Sequence, residues 1–235
     1  MMAPQFTLQD VDVDGAVREA HAQALEVLER TGDTRSSFLR KAGIAGGAML
    51  GGGAVLGALV PSAALAAGRP PKSFGAGDIG ILNYALTLEY LESTFYNQAY
   101  TNLYGSASAQ VQAFLRTTRA DEAAHVAALK GTLKSKAVKK PTFNFGSAVT
   151  SLSTFEATAY VLENTGVAAY SGQAFNIKEP KVLAVALSIV TVEARHAGAI
   201  ASITGMPIAK NGPFDVGDTA AKVLAAVAAT KFIVS

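Results

Sequence analysis

The 235-residue sequence contains no cysteine. Disulfides, thiolate nucleophiles, iron–sulfur ligation and thiolate zinc sites are therefore excluded, while the redox compartment stays open. Charge is scarce as well: 16% of residues are Asp, Glu, Lys or Arg, and the formal net charge is +2. The basic residues are scattered, apart from Lys134, Lys136, Lys139 and Lys140, which read as a solvated loop. No basic stripe able to follow a phosphate backbone is present, so nucleic acid is not among the expected partners. Histidine is rarer still, at three in the whole chain. What the chain has in quantity is apolar side chain, 50% of residues. That is enough to bury a full core and too much for a disordered chain, so one globular domain with an appendage is expected.

The appendage is residues 1–67. Residues 42–67 run AGIAGGAMLGGGAVLGALVPSAALAA, an uncharged stretch that follows Arg35, Arg40 and Lys41 and ends in small residues around Ala64, Leu65 and Ala66. A basic flank, an apolar run and an A-x-A site in that order form an export signal. The string TRSSFLRKAG resembles the twin-arginine export signature: Arg35 and Phe38-Leu39-Arg40 match, and Ser36 stands where the second arginine belongs. That resemblance implies a twin-arginine-type route to the periplasm, the cell envelope or the outside. A retained membrane anchor is the alternative if the signal is not cleaved, because the run is about long enough to span a bilayer. In both cases the basic flank keeps the remainder, 68–235, on the far side from the cytoplasm.

From Gly68 onward the pattern is helical. Asp78 is expected to cap a helix running to about Ala99; Ser106 or Ser108 opens one to about Lys136; Ser151 or Ser153 opens a third to about Ala174; Pro180 opens a fourth to about Thr204. The links 100–106 and 175–179 are short enough for helical hairpins, and the longer 137–150 must cross between the two pairs. An Ala/Val-rich segment, 217–231, is compatible with a short fifth helix. The expectation is an all-α antiparallel four-helix bundle of two hairpins joined by a crossover.

Inward positions, taken at alternating steps of three and four, carry an anomaly. The second helix reads Leu115, Thr118, Glu122, His125, Leu129, Thr132, and the fourth Ala186, Ile189, Glu193, His196, Ile200, Ile203. The same phase gives Leu82, Ala85, Glu89, Glu92, Tyr96, Ala99 in the first and Glu156, Ala159, Glu163, Gly166, Tyr170, Gln173 in the third. Each helix thus sets acids on an apolar stripe, where a bare carboxylate costs several kcal/mol. Arg195 is the one cationic residue near that stripe, so something else positive must compensate. Glu122-Ala-Ala-His125 and Glu193-Ala-Arg-His196 are two copies of E-x-x-H, in which Glu and His share a helix face and can grip a divalent metal. Glu89 and Glu163 are each followed seven residues later by a tyrosine, Tyr96 and Tyr170, so the chain reads as an internal duplication.

With those motifs, residues 76–204 resemble the ferritin-like superfamily of rubrerythrins, bacterioferritins and di-iron oxidases, and especially its exported ferritin-like domain proteins with desiccation-related relatives. The resemblance implies a dinuclear centre of two iron ions, or of two manganese ions. Glu89 and Glu163 take the single-Glu seats, and Glu122, His125, Glu193 and His196 the paired seats, with Glu122 and Glu193 as the bridging carboxylates. It also implies that Asp121 orients His196 from outside the ligand set; the matching position in the other repeat is Val192. Glu92 lies inward opposite Gly166, which leaves room for an extra ligand, a water or a substrate. Tyr96 and Tyr170 serve either as packing with satisfied hydroxyls or as hydrogen-bond donors or electron sources at the site. Arg195 either neutralises an outer carboxylate or points outward.

The chemistry so implied is oxidoreduction with dioxygen or peroxide: ferroxidase, small-substrate oxidase, peroxide scavenger or di-manganese catalase. Two other readings stay open, a structural or stress-protective protein in which the metal is structural or absent, and an interaction module that docks through its tail at 217–235. A homo-oligomer is compatible with either.

Overall fold

The computed structural model describes residues 68–234, all within one unit of the chain. The expected export signal lies outside the described residues. The architecture is helical: α1 (Gly77–Leu103), α2 (Ala109–Leu133), α3 (Leu152–Gln173), α4 (Pro180–Thr204) and a shorter α5 (Ala220–Thr230). The one β-type pairing among the described residues is an isolated antiparallel bridge, Phe143 with Ile233.

The helix starts follow capping chemistry, with one correction. Ser108 caps α2 by accepting the amide of Val111 at 3.3 Å, so the choice between Ser106 and Ser108 falls to the latter. Pro180 opens α4, where its missing N–H costs nothing, and Gly205 ends it in the left-handed conformation at φ 71°. Asp78 does not cap α1, which begins one residue earlier at Gly77. Its carboxylate instead accepts the amides of Lys178 and Glu179 at 2.8–3.1 Å. It thereby ties the start of α1 to the start of α4 and places an acid at that helix's positive end.

Side-chain pairings fix the directions. Position 89 meets 170 and 96 meets 163, so α1 and α3 run antiparallel; 122 meets 196 and 125 meets 193, so α2 and α4 do too. With each hairpin also antiparallel, the link between α2 and α3 has to return along the length of the bundle, and its contacts trace that path. Near one end, buried Asn83 donates to the carbonyls of Phe74 and Lys136 and accepts the amide of Val138. Near the other, Phe145 packs edge-on against Phe95 at 5.5 Å.

The core is two apolar clusters with a polar layer between them. One centres on Phe95, Tyr96, Phe114 and Phe155, with Phe95 and Phe155 stacked at 5.4 Å; the other on Leu82, Leu86, Leu129 and Ile189. Each fully buried leucine or phenylalanine contributes about 1.5–3 kcal/mol. The expected inward stripes hold except at the ends. Thr132 faces solvent and its neighbour Leu133 is buried in its place, while Glu156 is only half-buried at the bundle end.

The C-terminal tail crosses α3 at Gly172, where the amide of Asp218 donates to the Ala168 carbonyl at 2.9 Å. It then lays Val223 and Val227 of α5 into the core. A Cβ at Gly172 would stand 2.0 Å from the Asp218 carbonyl oxygen. Gly172→Ala is therefore expected to destabilise the fold by about 1–3 kcal/mol and to loosen the tail. Thermal denaturation with limited proteolysis between α4 and α5 checks this; an unchanged melting temperature would contradict it.

Candidate metal centre

Between the two apolar clusters lies a layer of acid. Glu89, Glu122, Glu163 and Glu193 are 0% exposed, Glu92 3%, His125 8% and His196 5%. No lysine or arginine is buried among the described residues. The layer exists because three helical steps bring each Glu and its His to one face, and the antiparallel pairing then turns the faces of α2 and α4 toward each other.

His125 Nδ1 stands 3.0 Å from Glu193 Oε1 and 3.3 Å from both Glu89 Oε2 and Glu122 Oε2. His196 Nδ1 stands 3.1 Å from Glu122 Oε1 and 3.4 Å from Glu163 Oε2. The rings are 6.4 Å apart. Two quartets result, each with ligand atoms within 4.8 Å of one another: Glu89, Glu122, His125 and Glu193, and Glu122, Glu163, Glu193 and His196. Glu122 and Glu193 belong to both.

Close as these atoms are, many have no hydrogen-bond partner: Glu89 Oε2, Glu122 Oε1, Glu163 Oε2, both oxygens of Glu193 and His196 Nδ1 are all buried and unsatisfied. Each such atom costs about 1–3 kcal/mol, more when charged. They converge on common points instead of pairing with each other, which is the geometry of a donor set that could hold metal. Four carboxylates and two imidazoles are oxygen and nitrogen donors suited to iron or manganese.

The electrostatics describe what the chain must do without a cation. Burial, then the charge of Glu122, pushes Glu89 up to about 8. Burial and the neighbouring acids hold Glu92 and Glu193 well above the usual carboxylate range. Burial opposes charge on the histidines, yet the surrounding carboxylates carry His125 up to about 12 and His196 to about 11. Glu122 alone goes down, to about 2: burial works against its charge, but the two imidazoles beside it, His125 and His196, outweigh it. The metal-free cluster thus keeps protons where a bound cation would replace them.

The surrounding residues sort clearly. Asp121 Oδ2 lies 3.1 Å from His196 Nε2, leaving Nδ1 toward the glutamates; Val192 holds the matching position in the other repeat and offers no such partner. A Cβ at Gly166 would sit 3.5 Å from both Glu92 Oε1 and Glu193 Oε2, so Glu92 does face Gly166 across a small gap. Arg195 is corrected: it is exposed and donates to the Thr191 carbonyl at 3.0 Å, away from the acids. The tyrosines hold a relation the sequence reading missed. Tyr96 donates to Glu163 and Tyr170 to Glu89, the latter at 2.5 Å, each reaching the acid of the other repeat. Seven residues are about 10.5 Å of helix, too far for a tyrosine to bond its own acid, and that spacing was the available signal.

The pKa shifts give a signed prediction. Glu89 binds its proton more tightly folded than unfolded, so the stability it contributes is full below its ordinary value of 4.5 and is lost as pH rises through about 8. The histidines run the same way at higher pH, and Glu122 runs oppositely only in acid. The melting temperature of the metal-free chain should therefore fall between about pH 5 and 8, while added Fe²⁺ or Mn²⁺, which needs deprotonated ligands, raises it more at the upper end. Anaerobic thermal melts check this, and a metal increment equal at both ends would contradict it.

A family model described as the ferritin-like domain matches residues 77–206, from the first residue of α1 to just beyond α4. Among curated proteins, none matches the chain.

Proposed function

Because the chain belongs to the ferritin-like domain family, we propose that its buried cluster holds two divalent metal ions, iron or alternatively manganese, and serves oxidoreduction with dioxygen or peroxide. The observation that carries this reading is the pair of overlapping quartets sharing Glu122 and Glu193. Four carboxylates balance two divalent charges, and the atoms left without partners are the ones those ions would bind. A bound pair of Fe²⁺ ions supplies two electrons, enough with two protons to take dioxygen to hydrogen peroxide or peroxide to two waters.

The chain's own residues have separate tasks. Glu89 and His125 hold one side, Glu163 and His196 the other, and Glu122 and Glu193 span both. Tyr170 and Tyr96 each occupy one oxygen of the outer carboxylates Glu89 and Glu163, leaving the second oxygen to face the centre. Asp121 accepts the Nε2 proton of His196 and so fixes the tautomer that presents a lone pair at Nδ1. Glu92 sits beside the gap at Gly166 without belonging to either quartet; burial, then the neighbouring acids, Glu193 first, hold its carboxyl well above the usual range in the metal-free chain. The apolar clusters on either side exclude bulk water. The same reading has residues 42–67 export the domain, by a twin-arginine-type route.

Metal analysis of the purified chain, with iron oxidation and peroxide consumption measured on the same sample, tests this. About two ions per chain are expected. Glu122→Gln and Glu193→Gln, each altering both quartets, should lose both ions, whereas Glu89→Gln and Glu163→Gln should weaken mainly one. A full pair retained in Glu122→Gln would sink the assignment. Full metal with neither iron oxidation nor peroxide consumption would instead make the metal structural, as in a stress-protective protein.

A further inference from the structure

A chamber lies inside the bundle on the side of the acid layer nearer the starts of α1 and α4. Its volume is about 380 Å³, counting the open space at its mouth. Leu82, Ala85 and Leu88 of α1, Leu129 of α2 and Ala186 of α4 supply much of its wall. Tyr170 also lines it, and the Tyr170 hydroxyl is bonded to Glu89 at 2.5 Å. One tyrosine therefore separates the chamber from the candidate ligands. Every lining residue is buried except the half-buried Ile177 in the link between α3 and α4, which marks the mouth.

The polar groups on this wall are almost all spoken for. Gln173 donates to the Gly68 carbonyl at 3.0 Å and accepts from Asn176 at 3.1 Å, and Tyr170 is engaged with Glu89. The buried hydroxyl of Tyr84 is left without a partner. A trapped water needs two to four hydrogen-bond partners, and an apolar cavity that cannot supply them stays dry and takes apolar guests instead. Hydrogen peroxide, with two donors and two acceptors, meets the same penalty as water.

We infer that this chamber is a binding site for a small apolar gas molecule, and that on the reading of function given above it brings dioxygen, not peroxide, to the Tyr170–Glu89 side of the centre. The inference concerns the oxidant and its route, and it rests on that reading only in its second half.

Xenon tests the first half without any turnover, because it is apolar, inert and detectable by NMR or anomalous scattering. The full chain, free of metal, should bind xenon in this chamber. Ala85→Leu, which fills it from α1, should lose the xenon; Ile177→Trp, at the half-buried mouth, should slow its entry. Xenon absent from the wild-type chamber, or unaffected by Ala85→Leu in a variant with an unchanged circular dichroism spectrum, would overturn the proposal. The second half is read on the metal-loaded chain. Both variants should keep the wild-type ion count and rate of iron oxidation by peroxide, yet lose several-fold in the rate with dioxygen. Equal rates with dioxygen in wild type and both variants would overturn the route. If the loaded wild type oxidised iron with neither oxidant, the oxidative function and with it the route would fall, while xenon seated in the chamber would still support the gas site.

Discussion

Five carboxyl groups share one dry layer in this bundle, and no lysine or arginine is buried with them. Moving an ionised carboxylate out of water costs several kcal/mol even after relaxation, as much as one or two fully buried leucines return. A domain whose net stability is about 5–15 kcal/mol cannot carry five such losses uncompensated. The metal-free chain meets the constraint by holding protons on most of these acids and on both histidines. It leaves Glu122 as the ionised hub between the two imidazoles. Divalent ions would meet it differently, by replacing those protons at the same atoms.

The apolar architecture serves that layer. Aromatic packing around Phe155 on one side and the leucines around Leu129 on the other fix the spacing of the helices. Atoms on different helices then approach within 3.0–3.4 Å of one another, and several of the carboxylate oxygens among them have no hydrogen-bond partner. Rigid supports around unsatisfied donors are what a binding site requires, and the tail crossing at Gly172 and the tie from Asp78 to α4 add to that rigidity.

Much of this was legible in the sequence because helical periodicity and charge burial are strong, local signals. The stripes of α1 and α3 placed Glu89, Glu92, Glu163 and Gly166 correctly, and the two E-x-x-H motifs placed their four residues on facing helices. The errors came where non-local contacts decide. Asp78 looks like a cap by position, but two free amides at the start of α4 outcompete its own helix. Thr132 fits the heptad phase, yet a straight helix drifts relative to that repeat, so by the last turn of α2 Leu133 points inward instead. Arg195 sits beside the stripe in sequence and on the surface in space. The chamber was invisible, since a void depends on how side chains from four helices fail to meet, and no single stripe records that.

The duplication explains the layer's symmetry, and its two breaks show where that symmetry could not be kept. Glu89 answers to Glu163, Tyr96 to Tyr170, Glu122 to Glu193 and His125 to His196, and the tyrosines cross over so that each repeat positions the other's acid. In antiparallel helices related this way, a residue close to the symmetry axis meets its own counterpart. Glu92 and Gly166 are such counterparts, and a Cβ at Gly166 would lie 3.5 Å from the Glu92 carboxyl. Two glutamates there would put like charges in contact in a medium that screens them poorly, so one repeat carries the acid and the other the space it needs. Asp121 and Val192 make the second break, and through it one histidine has its outer nitrogen bound by an acid while the other does not. Both breaks make the two halves of the centre chemically unequal. The donor set is thus unequal between its halves, and the inequality at Glu92, a buried carboxyl beside a missing side chain, lies between the same two helices, α1 and α3, whose Tyr170 lines the apolar chamber.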